Sequence, residues 1–204
     1  MISKNNIPLI VLLVAFLVTV FFINDQIAFG GLSSKQCDTE CQPPTLGLNL
    51  ESRRYVSDGF GINGQFFDVE YFSQKIPTQN FTVGELVDIS LKIYENSGAK
   101  YLEHVALSII MEEPKRVDGY VVGNNESIIS WNQKFDGTQS VDLVDPYDLI
   151  DYFEVKSSIK NNTTILNFMF NVTEPIDSKD IRVKMWDYRR NSWNNYFYEA
   201  ITMV

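Results

Sequence analysis

An uninterrupted apolar run near the amino terminus, Ile7 to Ile23, limits what this chain can fold into more than any other feature. Its seventeen residues carry no charge, and a small soluble domain cannot bury a segment of this length and composition. As a helix rising about 1.5 Å per residue, the run covers roughly 25 Å, close to the thickness of bilayer hydrocarbon. We therefore expect residues 1–27 to form a single transmembrane anchor or a signal segment.

The charges on either side of this apolar run predict its orientation. Lys4 and the α-amino group precede it and Asp25 follows it, and positively charged residues favour the cytoplasmic side of a membrane. We expect a single-pass protein of the cell membrane whose remaining chain lies outside. Cleavage after Ala28-Phe29-Gly30 is the alternative, because this tripeptide has the small-x-small pattern of a signal-peptidase site, and it would give a secreted protein.

Charge and composition narrow the classes of function for the rest of the chain. The sequence has 204 residues with a formal net charge of −9, and all of its acidic residues follow the apolar run. There is no block rich in lysine and arginine, so a phosphate backbone would be repelled and nucleic-acid binding is not expected. The apolar content suffices for one domain of about 150 to 160 residues, which we place at 48–204.

Glycosylation is a further expectation for an exported chain. Asn-x-Ser/Thr sequons can carry glycans on surface loops, although a chain rich in Asn, Ser and Thr contains some by chance. The sequons of this sequence are at Asn80, Asn125, Asn161, Asn162 and Asn171.

The segment between anchor and domain, residues 28–47, is predicted to be a linker. Gly30-Gly31 and Pro43-Pro44 disfavour both helix and sheet. The linker contains the only cysteines, Cys37 and Cys41. In an oxidising compartment they are expected to form a local disulfide, and intermolecular disulfides are also open. A copper or thiol-redox site is the alternative, since two thiolates four residues apart can bind a soft metal. No other cofactor is predicted.

The remaining chain shows a succession of strand patterns. Val87, Ile89, Leu91 and Ile93 alternate with polar residues, as expected for a strand with one buried face. After a turn at Asn96-Ser97-Gly98, the segment 102–111 returns as a predicted antiparallel neighbour. Further strands are predicted at 60–72, 119–122, 127–131, 140–144, 153–159, 164–172, 181–187 and 196–203. The first of these contains a predicted turn or bulge near Gly61 and Gly64.

One helix is predicted among these strands, over 144–153. Asp145 can cap it, and Pro146 suits its first position. Eight or nine short strands with one brief helix favour an all-β fold, an immunoglobulin-like antiparallel β-sandwich, with a β-barrel as the lesser alternative.

Two groups of side chains are candidates for metal binding. Carboxylates recurring every three residues can supply oxygen ligands for Ca²⁺, although a solvated helix face explains the same spacing. His104 is the only histidine, and a type 1 copper site needs two, so His104 is expected to be a half-exposed strand residue. The calcium candidates are Asp142, Asp145, Asp148 and Asp151.

The carboxyl-terminal region contains the densest aromatic and basic cluster. Tryptophan, tyrosine and arginine are the residues that dominate recognition surfaces, although a hairpin whose rings pair across strands would contain the same residues. The sequence contains none of the recognised catalytic motifs, and we do not expect an enzyme. The cluster comprises Trp186, Tyr188, Arg189, Arg190, Trp193 and Tyr196.

Several short motifs of this chain resemble those of known proteins. The stretch from Val83 to Leu107 resembles immunoglobulin-like modules of microbial surface proteins. A wider set is similar to uncharacterised exported proteins of ammonia-oxidising archaea, which implies export and this fold but no assigned activity. That set comprises Cys37-Asp38-x-x-Cys41, Pro44-Thr45-Leu46-Gly47, Asp145-Pro146 and Met185-Trp186-Asp187-x-x-Arg190-Asn191-x-Trp193-x-Asn195-Tyr196.

Together these patterns favour a structural or protein-interaction module of the cell envelope or of a membrane complex. It would be held at the membrane by its amino-terminal helix and would bind a protein partner, with its oligomeric state left open. The alternatives are a copper or redox accessory protein using Cys37 and Cys41, and a carbohydrate-binding module using the carboxyl-terminal aromatic cluster, for which Trp193→Ala is expected to abolish glycan retention without unfolding the domain.

Overall fold

The computed structural model describes residues 42–111 and 125–204, together with the backbone of 116–117 and 120–121. The predicted anchor at 1–27 and both cysteines, Cys37 and Cys41, lie outside the described residues. Within the described part of the chain, no helix combines the length and apolarity needed to cross a bilayer.

The described chain is built from strands of two to twelve residues. One 3₁₀ turn, Ala99–Tyr101, interrupts them. In chain order the strands are β1 (Phe60–Ile62), β2 (Gln65–Phe67), β3 (Ser73–Lys75), β4 (Gln79–Phe81), β5 (Leu86–Tyr94), β6 (Leu102–Ile110), β7 (Arg116–Val117), β8 (Tyr120–Val121), β9 (Glu126–Gln133), β10 (Gln139–Val144), β11 (Ile150–Lys160), β12 (Thr163–Val172), β13 (Ile176–Asp187) and β14 (Ser192–Met203).

These strands form two main sheets that pack face to face. The first sheet has the order β11-β12-β5-β1-β2, and the second has the order β10-β9-β6-β13-β14-β3, with β4 also pairing β14. The rings of Phe60 in the first sheet and Phe197 in the second stack with centroids 3.8 Å apart, so the apolar core lies between the sheets. The predicted all-β architecture is confirmed, and its two layers make a β-sandwich.

The alternating sequence pattern explains which side chains form this core. In β5, Val87, Ile89, Leu91 and Ile93 are all fully buried, and the residues between them are only partly buried. Successive side chains of a strand point to opposite faces, so one apolar residue in two is enough to cover the inner face of a sheet. The predicted buried face of β5 is confirmed.

The predicted hairpin between β5 and β6 is wrong. β5 pairs with β12 and β1 in the first sheet, whereas β6 pairs with β13 and β9 in the second. The 3₁₀ turn Ala99–Tyr101 follows the expected turn and carries the chain from one sheet to the other. Alternation within a strand does not specify its neighbour, because both sheets offer the same apolar face.

The predicted helix over 144–153 is also wrong. β10 ends at Val144 and β11 begins at Ile150, in different sheets. The five residues between them form a turn, in which the Asp145 carboxylate accepts hydrogen bonds from Ser127 Oγ at 2.6 Å and from the Ile150 amide at 2.7 Å. An Asp-Pro pair suits a turn as well as a helix start, and here the crossing between sheets leaves too few residues for a helix.

The described fold also includes residues of the predicted linker, 28–47. Thr45 pairs with Tyr94, and Leu46 is fully buried. Gly59 passes so close to this segment that an added Cβ would lie 1.6 Å from the carbonyl oxygen of Leu46. The lack of a side chain at Gly59 therefore allows this segment to pack closely against the sheet. Any other residue at position 59 would force the backbone to move.

Candidate interaction surface

Three loops meet at one end of the second sheet. They are the 3₁₀ turn before β6, the β9–β10 turn at 134–138, and the β13–β14 turn at 188–191. β9, β6 and β13 are antiparallel neighbours in this sheet. Because antiparallel neighbours begin and end at alternate edges, the start of β6 lies beside the ends of β9 and β13.

Each loop contributes one aromatic ring to a cluster on the surface. The ring centroids of Tyr101 and Phe135 are 5.7 Å apart, and each is 6.0 Å from the centroid of Tyr188. Phe135 is 62% exposed and Tyr188 is 55% exposed. We call these three residues the aromatic loop cluster. Their mutual contacts restrict the rings, while more than half of the surface of Phe135 and of Tyr188 stays available for a ligand.

Hydrogen bonds within the loops hold this cluster in place. The buried Asp187 carboxylate accepts from the amides of Arg189 and Asn191, both at 2.8 Å. The Tyr188 amide donates to the carbonyl oxygen of Tyr101 at 2.9 Å and thereby joins two of the three loops. A carboxylate that accepts several backbone hydrogen bonds fixes a tight turn, so the β13–β14 loop presents Tyr188 in one orientation.

A second pair of rings lies beside the cluster, on the outer face of the sheet. His104 of β6 and Trp186 of β13 are opposite each other in the register, and their rings stack with centroids 3.6 Å apart at 14°. Arg190 and Lys184 lie over the Trp186 ring, at 5.8 and 5.5 Å from its centroid. Cations held over an indole ring are attracted to its negative face, which further orders this part of the surface.

A chain of hydrogen bonds determines which ring nitrogen of His104 carries the hydrogen. Asn132 Nδ2 donates to Asp142 Oδ2 at 2.9 Å, which turns the amide oxygen of Asn132 towards His104. That oxygen is 2.7 Å from His104 Nδ1. Since a carbonyl oxygen can only accept, Nδ1 carries the hydrogen and donates it to Asn132.

Burial is the main reason why the pKa of His104 is lowered below its ordinary value. The hydrogen bond to Asn132 and the charge of Asp142 raise the pKa, whereas the charges of Lys184 and Arg190 lower it. Burial prevails, so the imidazole is neutral at neutral pH and stacks on Trp186 as an uncharged ring.

The aromatic loop cluster and the His104–Trp186 stack line one cavity of about 440 Å³. Polar side chains of β9 and β10, among them Asn132, Gln139 and Ser140, complete its wall. We call this cavity the aromatic cleft. Rings with a few convergent amides and hydroxyls are typical of a site that binds a ligand and holds its orientation.

The charge around the cleft is opposite to that of the protein as a whole. The three loops carry Lys100, Lys134, Arg189 and Arg190 and one exposed carboxylate, Asp136, on a chain whose net charge is −9. One further carboxylate, Glu103, lines the cleft and pairs with Arg190 at 3.2 Å, so it offsets one of these four cations. Lys100 Nζ lies 4.9 Å from the centroid of Tyr101 and 5.3 Å from that of Phe135. This end of the molecule therefore favours an acidic ligand.

The predicted carboxyl-terminal cluster is divided by the fold. Trp186 and Tyr188 line the aromatic cleft, with Arg189 and Arg190 in the adjoining turn. Trp193 faces the interior, packs against the core and lines a separate groove of about 510 Å³ with Leu48, Leu50 and Tyr71 among its neighbours. Tyr196 meets the ring of Phe72 edge-on at 5.8 Å.

Tyr101 and Phe135 are not among the site residues predicted from the sequence, and His104 was predicted without a binding role. Tyr101 follows the predicted turn Asn96-Ser97-Gly98 by three residues, and Phe135 precedes Asp136-Gly137, a pair of residues that favours a turn. An aromatic residue beside a turn lies outside the alternating apolar pattern of a strand, so a buried strand face does not account for it. Aromatic residues next to turns were therefore the signal by which these two could have been found. The convergence of the three loops depends on strand pairing and could not be read from the sequence.

The predicted calcium ligands are placed in two different environments. Asp145, Asp148 and Asp151 line one shallow pocket between β10 and β11, whereas Asp142 lies on the outer face and accepts from Asn132. Both oxygens of Asp145 already accept hydrogen bonds from the protein. Among the described residues there is no group of three or more His, Cys, Asp or Glu side chains that could hold a metal ion. Calcium binding stays a prediction.

The sequons differ in how accessible their amide nitrogens are. Asn80, Asn125 and Asn161 are exposed, whereas Asn171 is half-buried and accepts from the Tyr152 amide. Asn162 Nδ2 donates to the carbonyl oxygen of Asn96 at 3.1 Å. The nitrogen that would carry a glycan is thus already bonded at Asn162, and Asn80 and Asn161 are better acceptors.

Comparison with known proteins gives no match for this chain, either among protein-family models or among curated proteins.

Proposed function

We propose that this protein is an exported, membrane-anchored β-sandwich of immunoglobulin-like type that binds a protein partner of the cell envelope or of a membrane complex through its aromatic cleft. The observation that carries the proposal is the convergence of Tyr101, Phe135 and Tyr188 from three loops beside the His104–Trp186 stack. The apolar run at 7–23 supports the anchoring and the placement outside the cell.

The residue types of the cleft favour a protein partner. Tyrosine, tryptophan and arginine supply most of the binding energy in protein interfaces, because they bury a large area with few rotatable bonds. The loops at one end of a β-sandwich can present such residues without disturbing the sheets. The two lysines that line the cleft, Lys100 and Lys134, favour an acidic surface on the partner.

A carbohydrate ligand is the second candidate, and the side chains of Asn132, Gln139 and Ser140 favour it. They lie in the wall of the cleft beside the rings, where they can bond sugar hydroxyls while an aromatic face stacks on the sugar ring. The ring expected for this role, Trp193, packs against the core instead. In a carbohydrate-binding cleft, the rings that would stack on the sugar are therefore those of Phe135, Tyr188 and Trp186.

Site-specific photocrosslinking in intact membranes tests the proposal. A photoreactive phenylalanine analogue at position 135 is expected to capture one defined protein, and Tyr188→Ala is expected to reduce the yield at least tenfold. The yield should also fall between about 50 and 500 mM salt, since exposed charges are screened. Phe72 is 56% exposed outside the cleft, so the same analogue at position 72 and the variant Phe72→Ala are the matched controls.

Three outcomes are distinguishable. Capture at position 135 that Tyr188→Ala abolishes supports a protein partner. Retention of the purified full chain on a glycan array, lost in Tyr188→Ala but not in Phe72→Ala, replaces the protein partner with a carbohydrate. Equal capture at positions 72 and 135, with no glycan retained, contradicts a binding role for the cleft. Unchanged thermal unfolding of each variant excludes loss of the fold as the cause.

A further inference from the structure

Strand β11 forms an open edge of the first sheet. Its eleven residues, Ile150–Lys160, pair with β12 on one side. Among the described strands, none pairs with its other side. Every second residue of an edge strand directs its N–H and C=O groups away from the sheet, so β11 offers a row of unpaired hydrogen-bonding groups.

β11 has few of the features by which proteins block such an edge. It is long and contains no proline, and its single irregularity lies between Ile150 and Tyr152. From Tyr152 to Lys160 the register with β12 is continuous, so the strand is regular over nine residues. An edge that is long, regular and free of proline is suited to pairing with another strand.

The charges of β11 are arranged so that the strand is complementary to itself. Tyr152, Glu154, Lys156 and Ser158 share its outer side, because side chains alternate between the two faces of a strand. If two copies pair in antiparallel fashion with Val155 opposite itself, Glu154 of each copy lies opposite Lys156 of the other. A shift of the register by two residues in either direction keeps the same faces of the two strands matched. It would place Glu154 opposite Glu154 of the other copy, or Lys156 opposite Lys156, and like charges opposite each other are unfavourable.

The inner side of β11 is compatible with the same register. Val155 would face its own equivalent and Phe153 would face Ser157, with no charge opposite a like charge. Phe153 and Val155 are only partly buried at present, although they pack against the core. A second copy would cover the side of the core that the open edge leaves exposed, which adds burial of apolar surface to the backbone hydrogen bonds.

We propose that two copies of this chain associate through β11, antiparallel and with Val155 on the two-fold axis, so that their five-stranded sheets join into one continuous sheet. The interface is isologous and closed by its symmetry, so it produces a dimer and not a filament. This inference does not depend on the function proposed for the aromatic cleft, whose residues belong to the second sheet and its loops.

Charge substitution in the full-length protein tests both the dimer and its register. The side chains of Glu154 and Lys156 are 43% and 62% exposed, so we expect the fold to tolerate E154K and K156E, and thermal unfolding of each variant checks this. Each variant alone places like charges opposite each other twice, and its dimer is expected to be at least tenfold weaker than that of the natural protein. An equimolar mixture of the two variants is expected to form a heterodimer, because every facing pair is then of opposite sign.

The mass of the complexes in detergent is measured by light scattering over a range of protein concentrations. The double variant E154K/K156E is expected to dimerise as the natural protein does, since the complementary pairs are exchanged and not lost. E174K makes the same change of charge at an exposed loop residue and is expected to leave the dimer unchanged. A natural protein that is monomeric at every concentration overturns the proposal, as does a mixture that dimerises no better than either single variant.

Discussion

His104 illustrates how far a single residue could be interpreted from the sequence. The prediction that it is a half-exposed strand residue is confirmed, because it alternates with the buried Val105 and Leu107 in β6. Its stacking on Trp186 could not be predicted, since that contact depends on the register of β6 with β13. Alternation gives the side of the sheet on which a residue lies, but not what lies beside it.

The lowered pKa of His104 predicts a pH-dependent contribution to stability. As the pH falls below about 6.5, the unfolded chain binds a proton at this position before the folded protein does. The free energy of unfolding therefore decreases from pH 7.5 to 5.5. His104→Gln removes the titrating group and should show a smaller decrease, by less than about 1.4 kcal/mol because solvent screens the half-exposed ring.

Urea unfolding of both proteins at the two pH values measures this difference. The interval stays above the range in which most carboxylates titrate, so they contribute little to the comparison. If the two proteins lose the same stability, or if His104→Gln loses more, burial of the neutral ring is not the dominant influence on its pKa.

At the scale of elements, the crossings between the sheets were the part that sequence patterns did not predict. Most of the strands are where the alternation and the turn residues predicted them. Two of the five connections that leave one main sheet for the other, at 95–101 and 145–149, were predicted wrongly, the first as a hairpin turn and the second as part of a helix. Turn residues such as Gly98 and Pro146 mark where a strand ends, but they do not determine where the chain goes next.

The connection at 145–149 between β10 and β11 leads to a testable prediction about Asp145. Asp145→Ala leaves the Ser127 hydroxyl and the Ile150 amide without their acceptor and should lower the free energy of unfolding by about 1 to 3 kcal/mol. Asp151 is exposed in the same pocket, and Asp151→Ala is expected to have little effect.

Chemical unfolding with and without EDTA separates this explanation from calcium binding. If the Asp145 carboxylate binds only hydrogen-bond donors of the protein, EDTA does not change the free energy of unfolding of the natural protein. A calcium site would instead make EDTA destabilising and would give Asp151→Ala a cost similar to that of Asp145→Ala.

At the scale of the whole molecule, we propose that the apolar run at 7–23 anchors the β-sandwich on the outer side of the membrane. If the run spans the membrane with Lys4 inside, an exposed lysine of the domain such as Lys75, whose side chain is 65% exposed, faces the exterior. A membrane-impermeant amine reagent should then label Lys75 equally in intact and in lysed cells, as measured by mass spectrometry of its peptide. Labelling of Lys75 only after lysis would invert the topology and remove the basis for glycans and for an extracellular partner.

The sequence by itself determined the class of fold and the inner face of the sheets. Alternation of apolar and polar residues is a local property, and it identified the buried side of β5 and the strands that form β11 and β12. Turn residues acted in the same way, as Asn63-Gly64 shows between β1 and β2, where both residues have positive φ.

Only the tertiary structure decided which strands are neighbours, and with them the aromatic cleft and the open edge of β11. Any strand with one apolar face can join either sheet, so the choice depends on contacts between segments far apart in the chain. The predicted binding cluster was divided for this reason. Trp186 and Trp193 are seven residues apart in sequence, yet a turn and a change of face send one ring to the surface cleft and the other towards the core.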